Sequence, residues 1–266
     1  MRPAALLTVV AAYAALAAPI AAATPRPVVM PPVSRQSAAG RSVVVAVVDT
    51  GVDAGSPQLQ GAVVPGWNLL TGSGDTADDN GHGSLVAGVV ASRWGYCRSC
   101  LVMPVKVLDA SGHGPGPTIA AGIDWAVAHG AQVVNLSLTL DVQDSAVDAA
   151  IARALAAGVP IVAAAGNAGG VDATYPAANP GVISVAAETA DGSLYPWSNA
   201  GAWITTAAPG CNRTAGTAGN VVEFCGTSSA AAATSGIVGT LIARGTAPAA
   251  LTRGLIGAQP LPGFLR

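Results

Sequence analysis

The chain has three histidines, His82, His113 and His129. A group that takes up and releases a proton near neutral pH is most often an imidazole, so these three bound the search for a general base. His129 stands beside Gly130 at the end of a stretch with helical spacing, where the helix dipole favours a cation; that place suits a capping or surface histidine. His82, in Asn80-Gly81-His82-Gly83-Ser84, begins a helix, from which a ring can project into a cleft. Two further polar groups stand at the ends of apolar runs: Asp49 follows residues 43–48, and Asn167 follows residues 161–165.

These positions matter because of the elements around them. Residues 43–48 form a continuous Val-rich run, as expected of a strand covered on both faces. Residues 101–108, 133–138, 160–165 and 182–187 also read as strands. Residues 84–92, 118–129, 145–157 and 228–244 read as helices, the third ending at Gly158 and the last rich in small residues. Strands alternating with helices predict an α/β three-layer sandwich, a mostly parallel twisted sheet with helices on both faces. In such sheets, reactive groups collect beyond the carboxyl ends of the strands. Asp49 and Asn167 stand there.

With these elements in place, four short segments gain meaning together. Asp49-Thr50-Gly51-Val52-Asp53, Gly81-His82-Gly83-Ser84-Leu85-Val86-Ala87-Gly88, Ala164-Ala165-Gly166-Asn167 and Gly226-Thr227-Ser228-Ser229-Ala230 resemble the aspartate, histidine, oxyanion-asparagine and serine motifs of the subtilisin-like serine peptidases. Each string is weak alone. All four occur in the family's order, attached to the expected elements, and the resemblance spans about residues 42–242.

The resemblance implies an endopeptidase acting through an acyl-enzyme. Ser228 is the nucleophile, His82 its base, and Asp49 the carboxylate that holds the other ring nitrogen. Asn167 and the Ser228 backbone N–H would donate to the oxyanion. Ser137, Leu138, Thr139, Ala164 and Gly166 match the walls of the family's substrate groove, where an extended polypeptide adds to an edge strand. The walls carry no charge, so a broad or apolar preference before the cut is expected. His113 falls where the family's upstream subsites lie, although a solvent-facing loop histidine fits it as well. Plainer uses stand beside these roles: a turn aspartate at Asp49, a turn asparagine at Asn167, and an N-cap at Ser228 with Ser229 as a rival hydroxyl.

The chain departs from the family at several neighbours of the chemistry. Ser84 replaces threonine and Leu85 the second histidine; Ser229 stands for methionine and Ala231 for proline. Thr139 replaces a glycine, which narrows the expected groove.

Cysteines and bulk composition set the surroundings. Four cysteines allow three pairings; Cys97–Cys100 and Cys211–Cys225 are favoured because each closes a local loop. A zinc reading of Cys97-x-x-Cys100 lacks a second pair of similar spacing. Asp53, Asp75, Asp78 and Asp79 could hold calcium, but without ordered ligand spacing a solvated acidic loop is expected, and neither metal nor cofactor is. The 266 residues carry a net charge of -2, with 51% hydrophobic and 10% charged residues, which suits one compact domain and offers nucleic acid no electrostatic footprint.

Residues 1–23 read as a signal peptide: Arg2, an apolar stretch, then Ala21-Ala22-Ala23 before Thr24. An uncleaved anchor is the alternative. Residues 24–41 read as a short loose lead-in, too short for a folded pro-domain, and residues 42–266 as the peptidase domain. The expected product is secreted or periplasmic, monomeric and free of the membrane once the leader is cut. Two alternatives on the same scaffold are a maturation protease or peptide ligase with the same triad, and a catalytically silent binding module.

Overall fold

The computed structural model describes residues 43–216 and 219–248. The expected leader and lead-in lie outside the described residues.

β-branched side chains are stiff at χ1 and pack well on a pleated surface, and the Val-rich run forms β1 (Val44–Asp49). With it pair β2 (Trp67–Asn68), β3 (Leu101–Lys106), β4 (Val133–Leu136), β5 (Ile161–Ala164), β6 (Ile183–Glu188) and β7 (Thr206–Pro209). These seven strands make one sheet in the order β2-β3-β1-β4-β5-β6-β7, and every pairing is parallel.

Two helices cover each face. Val45 and Val47 of β1 belong to the core formed with α1 (His82–Ala91) and α4 (Thr227–Ala243). Ala46 and Val48 face the opposite core, with Ile119 and Ile123 of α2 (Gly116–Ala128) and Val147 and Ile151 of α3 (Ser145–Ala156). Burial of each such Val or Ile contributes about 1.5–3 kcal/mol, so alternation along one strand joins both cores to one sheet. The result is the expected three-layer α/β sandwich. No helix among the described residues is long and apolar enough to cross a membrane.

The strand order places the site. From β1 the chain moves through α1 to β3 on one side, then through α2 to β4 on β1's other side. Connections that leave neighbouring strands in opposite directions open a crevice at their carboxyl ends.

Local signals set most boundaries as expected. The Asp144 side chain caps α3 by accepting from the Ala146 and Val147 amides, and Gly158 follows its end at φ 79°. Two expectations need correction. Residues 211–215 and 221–225 are not loop but pair as an antiparallel hairpin, β8 (Cys211–Ala215) and β9 (Val221–Cys225). The strand expected over 133–138 ends at Leu136, and residues 137–139 are not on a sheet edge, because β4 lies between β1 and β5; the edges are β2 and β7. Both expected disulfides, Cys97–Cys100 and Cys211–Cys225, are present, so Cys97 and Cys100 are not zinc ligands.

Candidate active site

Asp49 is the last residue of β1 and His82 the first of α1. They meet because α1 starts against the loop that follows β1. A Cβ at Gly83 would lie 2.1 Å from the Gly51 carbonyl oxygen, so only glycine permits this approach. His82 Nδ1 then lies 2.8 Å from Asp49 Oδ1 and 3.0 Å from Oδ2. The Thr50 N–H donates to Asp49 Oδ1 at 2.7 Å and fixes the carboxylate. With Nδ1–H donated to Asp49, Nε2 keeps its lone pair for a proton.

Both groups are buried, Asp49 completely. Burial pulls the His82 pKa down, but the charge and hydrogen bond of Asp49, joined by the charge of Asp78, outweigh it and hold it above 6.5.

The cleft opens where two strands part. β4 and β5 pair in register up to Leu136 and Ala163. Beyond that point they separate, and an open cleft forms between Ser137, Leu138 and Thr139 on one side and Ala164, Gly166 and Asn167 on the other. His82, Thr227 and Ser228 complete its lining. All nine residues expected from the sequence as catalytic, oxyanion or groove residues are therefore near one another, Asp49 standing behind His82. His113 is not among the lining residues; its backbone closes a turn with Asp109. His129 ends α2, with Nδ1 2.7 Å from the Trp125 carbonyl oxygen and its ring stacked on Trp125, as a capping histidine would be.

Ser228 lies in the first turn of α4, where backbone amides have no intrahelical acceptor and the helix dipole is positive. Its hydroxyl donates to the Ser137 carbonyl at 3.2 Å, and the Ser137 hydroxyl donates to the Ser228 carbonyl at 3.1 Å. Ser229 is no rival: it is fully buried and accepts from Asn212 Nδ2 at 2.9 Å.

Asn167 Oδ1 accepts from the Thr227 N–H at 2.9 Å and the Thr227 hydroxyl at 3.0 Å. Both donors engage the oxygen, which leaves the Nδ2 amide as the donor end of a side chain that lines the cleft with Ser228. The Thr227 hydroxyl in turn accepts from the Gly166 N–H at 3.0 Å, tying this wall to α4.

Asp78, expected in a solvated acidic loop, and Lys106, for which the sequence suggested no role, organise the histidine side. Asp78 is not part of a solvated acidic loop. Its Oδ1 accepts from the Thr50 hydroxyl and the Asn80 and Gly81 amides, and its Oδ2 from the Ser84 amide and hydroxyl. Ser84, the departure from threonine, also accepts from the Asp53 N–H, so its smaller side chain is fully used. Lys106 is paired with Asp49 across β1 and β3 and is 4% exposed. Its Nζ donates to the Thr50 carbonyl, the Leu108 carbonyl and Asp79 Oδ1 at 2.6, 2.9 and 2.6 Å. Among the described residues, no three His, Cys, Asp or Glu side chains gather as a metal site.

The chain is similar to several known proteins. The chain is 34% identical over 209 residues to a thermophilic serine proteinase of Bacillus sp. (strain AK1), covering 76% of this chain and 52% of that one. It is 36% identical over 180 residues to thermitase of Thermoactinomyces vulgaris, covering 65% and 64%. The chain thus spans between half and two thirds of the length of these relatives. The crystal structure of a cold-adapted subtilisin-like serine proteinase superposes with a TM-score of 0.75 at 30% identity, covering 79% of this chain and 80% of that one. The model of the subtilase family matches residues 40–252, and the chain belongs to that family.

Proposed function

We propose that this chain is an exported serine endopeptidase that hydrolyses peptide bonds through an acyl-enzyme on Ser228. The observation that carries the reading is the buried Asp49–His82 pair, 2.8 Å apart, opening on the same cleft as Ser228 and Asn167. His82 Nε2 takes the Ser228 proton as Oγ attacks the substrate carbonyl. Asp49 holds the ring and stabilises the imidazolium that forms. Asn167 Nδ2 and the Ser228 N–H donate to the oxygen on which charge develops. The imidazolium then returns its proton to the leaving amine, and water repeats the sequence to release the acid.

The substrate is an extended polypeptide lying between residues 137–139 and 164–166, with an apolar or broad preference at the residue before the cut. The uncharged lining of Leu138, Thr139 and Ala164 supports that preference. Export follows from residues 1–23, whose cleavage before Thr24 would release the enzyme as a secreted or periplasmic monomer.

Fluorophosphonate labelling of the purified chain, read by peptide mass spectrometry, tests the reading. One adduct on Ser228, absent from Ser228→Ala and His82→Ala, is expected. A folded wild type with no adduct would overturn it.

A further inference from the structure

The β8–β9 hairpin stands outside the seven-stranded sheet, yet it bears on both helices that carry the candidate catalytic groups. Asn212 of β8 donates through Nδ2 to Ser229 Oγ at 2.9 Å and to the Pro209 carbonyl at 2.7 Å, and accepts through Oδ1 from the Tyr96 hydroxyl at 2.9 Å. Ser229 is the neighbour of Ser228 in the first turn of α4. Thr214, also of β8, donates to the Leu85 carbonyl of α1 at 2.7 Å. The two elements are in such close contact that a Cβ at Gly88 would lie 2.1 Å from Thr214 Oγ1. On the second strand, Phe224 meets the His82 ring edge-on, with centroids 5.5 Å apart and planes at 81°.

These contacts restrain different freedoms. Asp49 holds His82 through Nδ1, a single point about which the ring can still tilt. Phe224 closes off that tilt from the side. Asn212 fixes the turn that presents Ser228, through a serine where the family usually has methionine. An isolated two-stranded hairpin is marginally stable in water, and residues 221–223 of β9 are exposed. What keeps this one in register is its base, where Cys211 pairs with Cys225 and is bonded to it, three residues before Ser228.

We propose that the β8–β9 hairpin aligns the base with the nucleophile. Phe224 is the positioning residue of His82, Asn212 that of the first turn of α4, and the Cys211–Cys225 bond holds both strands where the two contacts are made together. This rests on the peptidase reading, and none of these groups is among the residues that line the cleft. A catalytic group displaced by a fraction of an ångström loses much of its rate while binding persists, so the effect falls on kcat.

The test uses the full chain as wild type, Phe224→Ala, Phe224→Leu, Asn212→Ala and the Cys211→Ser/Cys225→Ser pair. kcat and KM are measured separately on a peptide. The Nδ1–H resonance of His82 is followed in protein labelled with ¹⁵N-histidine, which needs no turnover, and melting temperature is recorded alongside. Phe224→Ala is expected to lower kcat about tenfold with KM within about twofold, and to broaden the His82 resonance. Leucine, which keeps the bulk, restores most of both. The cysteine pair reproduces the loss, and Phe224→Ala adds little to it because both act on one alignment. Should the cysteine pair fail to fold, the Phe224 series decides alone. A sharp, unmoved His82 resonance in Phe224→Ala, or a kcat within twofold of wild type, overturns the proposal. A wild type that neither turns over nor takes a fluorophosphonate fails the peptidase reading instead, and the resonance still judges the hairpin.

Discussion

His82 Nδ1 lies 2.8 Å from Asp49 Oδ1 and 3.0 Å from Oδ2, and the protein leaves Asp49 no exposure to solvent. Burial alone would lower the imidazole pKa, yet the nearby carboxylate and the Asp78 charge raise it above 6.5. In the proposed reaction only neutral His82 can take the serine proton. kcat/KM is therefore expected to climb with pH through a midpoint above 6.5. Asp49→Asn removes the main raising cause and leaves the desolvation, so the midpoint should fall while kcat drops on the order of 10⁴-fold. The same pair stabilises the fold most below pH 6.5, where His82 is charged in both folded and unfolded chains, and that contribution is lost as pH rises through the folded pKa. A pH–rate series on both proteins checks this; an unchanged midpoint in Asp49→Asn would remove Asp49 as the cause.

Asn167 owes its orientation to Thr227, whose amide and hydroxyl both donate to its Oδ1. Asn167→Ala should lower kcat by about 10²–10³-fold with little change in KM, because the lost donor acts on charge that appears only in the transition state. Thr227→Val keeps the shape and the amide donor but loses one of the two bonds, so a smaller loss, about tenfold, is expected. Steady-state kinetics on the two variants separates the direct donor from the residue that aims it. Equal losses would mean that Thr227 does more than orient.

The residues that were legible in the sequence share a property: the backbone fixes them. Asp49 ends a strand, His82 and Ser228 begin helices, and Asn167 follows a strand, so order and neighbours locate all four. Asp78 and Lys106 are different. Their roles arise where the loop after β1, the segment before α1 and the end of β3 converge, and Thr50 reaches Asp78 across 28 residues. No local pattern encodes such a meeting. The hairpin was missed for another reason: its Gly, Thr and Asn content imitates a loop. Its signal was the cross-strand match of Thr214 with Val222 between the two cysteines. The end of β4 was overrun because apolar Leu138 continues the strand's composition after its pairing has stopped at Leu136.

Asp78 gathers five donors from three segments, and hydrogen bonds to a charged group are worth about 1.5–3 kcal/mol each when taken singly. They share one anchor and are not additive, so Asp78→Ala is expected to cost about 3 kcal/mol, or roughly 6–12 °C in melting temperature. It also removes a charge that raises the His82 pKa, so the acid limb of the pH–rate profile should move down. Lys106→Met is expected to cost about 2–4 kcal/mol because the Thr50 and Leu108 carbonyls lose a buried donor. Calorimetry with a pH profile tests both. An Asp78→Ala protein as stable as wild type would make the network incidental.

Thr139 stands across the cleft from Gly166, so that a Cβ built on Gly166 would lie 3.5 Å from the Thr139 methyl. Where the family usually has glycine, the threonine brings the two walls together at the place where the side chain before the cut would enter. Small apolar side chains fit such a gap; an aromatic ring must displace the methyl or sit higher. The wild type is therefore expected to cleave after alanine in preference to phenylalanine. Thr139→Gly should raise the phenylalanine-to-alanine ratio of kcat/KM about tenfold or more, since one methyl-sized group in an apolar pocket changes discrimination by about 1–3 kcal/mol. The gain should come from the phenylalanine substrate, with alanine turnover held within a few fold, because Thr139 lies on the wall and Asp49, His82 and Ser228 keep their contacts. A ratio that stays within twofold would move the restriction from Thr139 to the opposite wall, at Ala164 and Gly166.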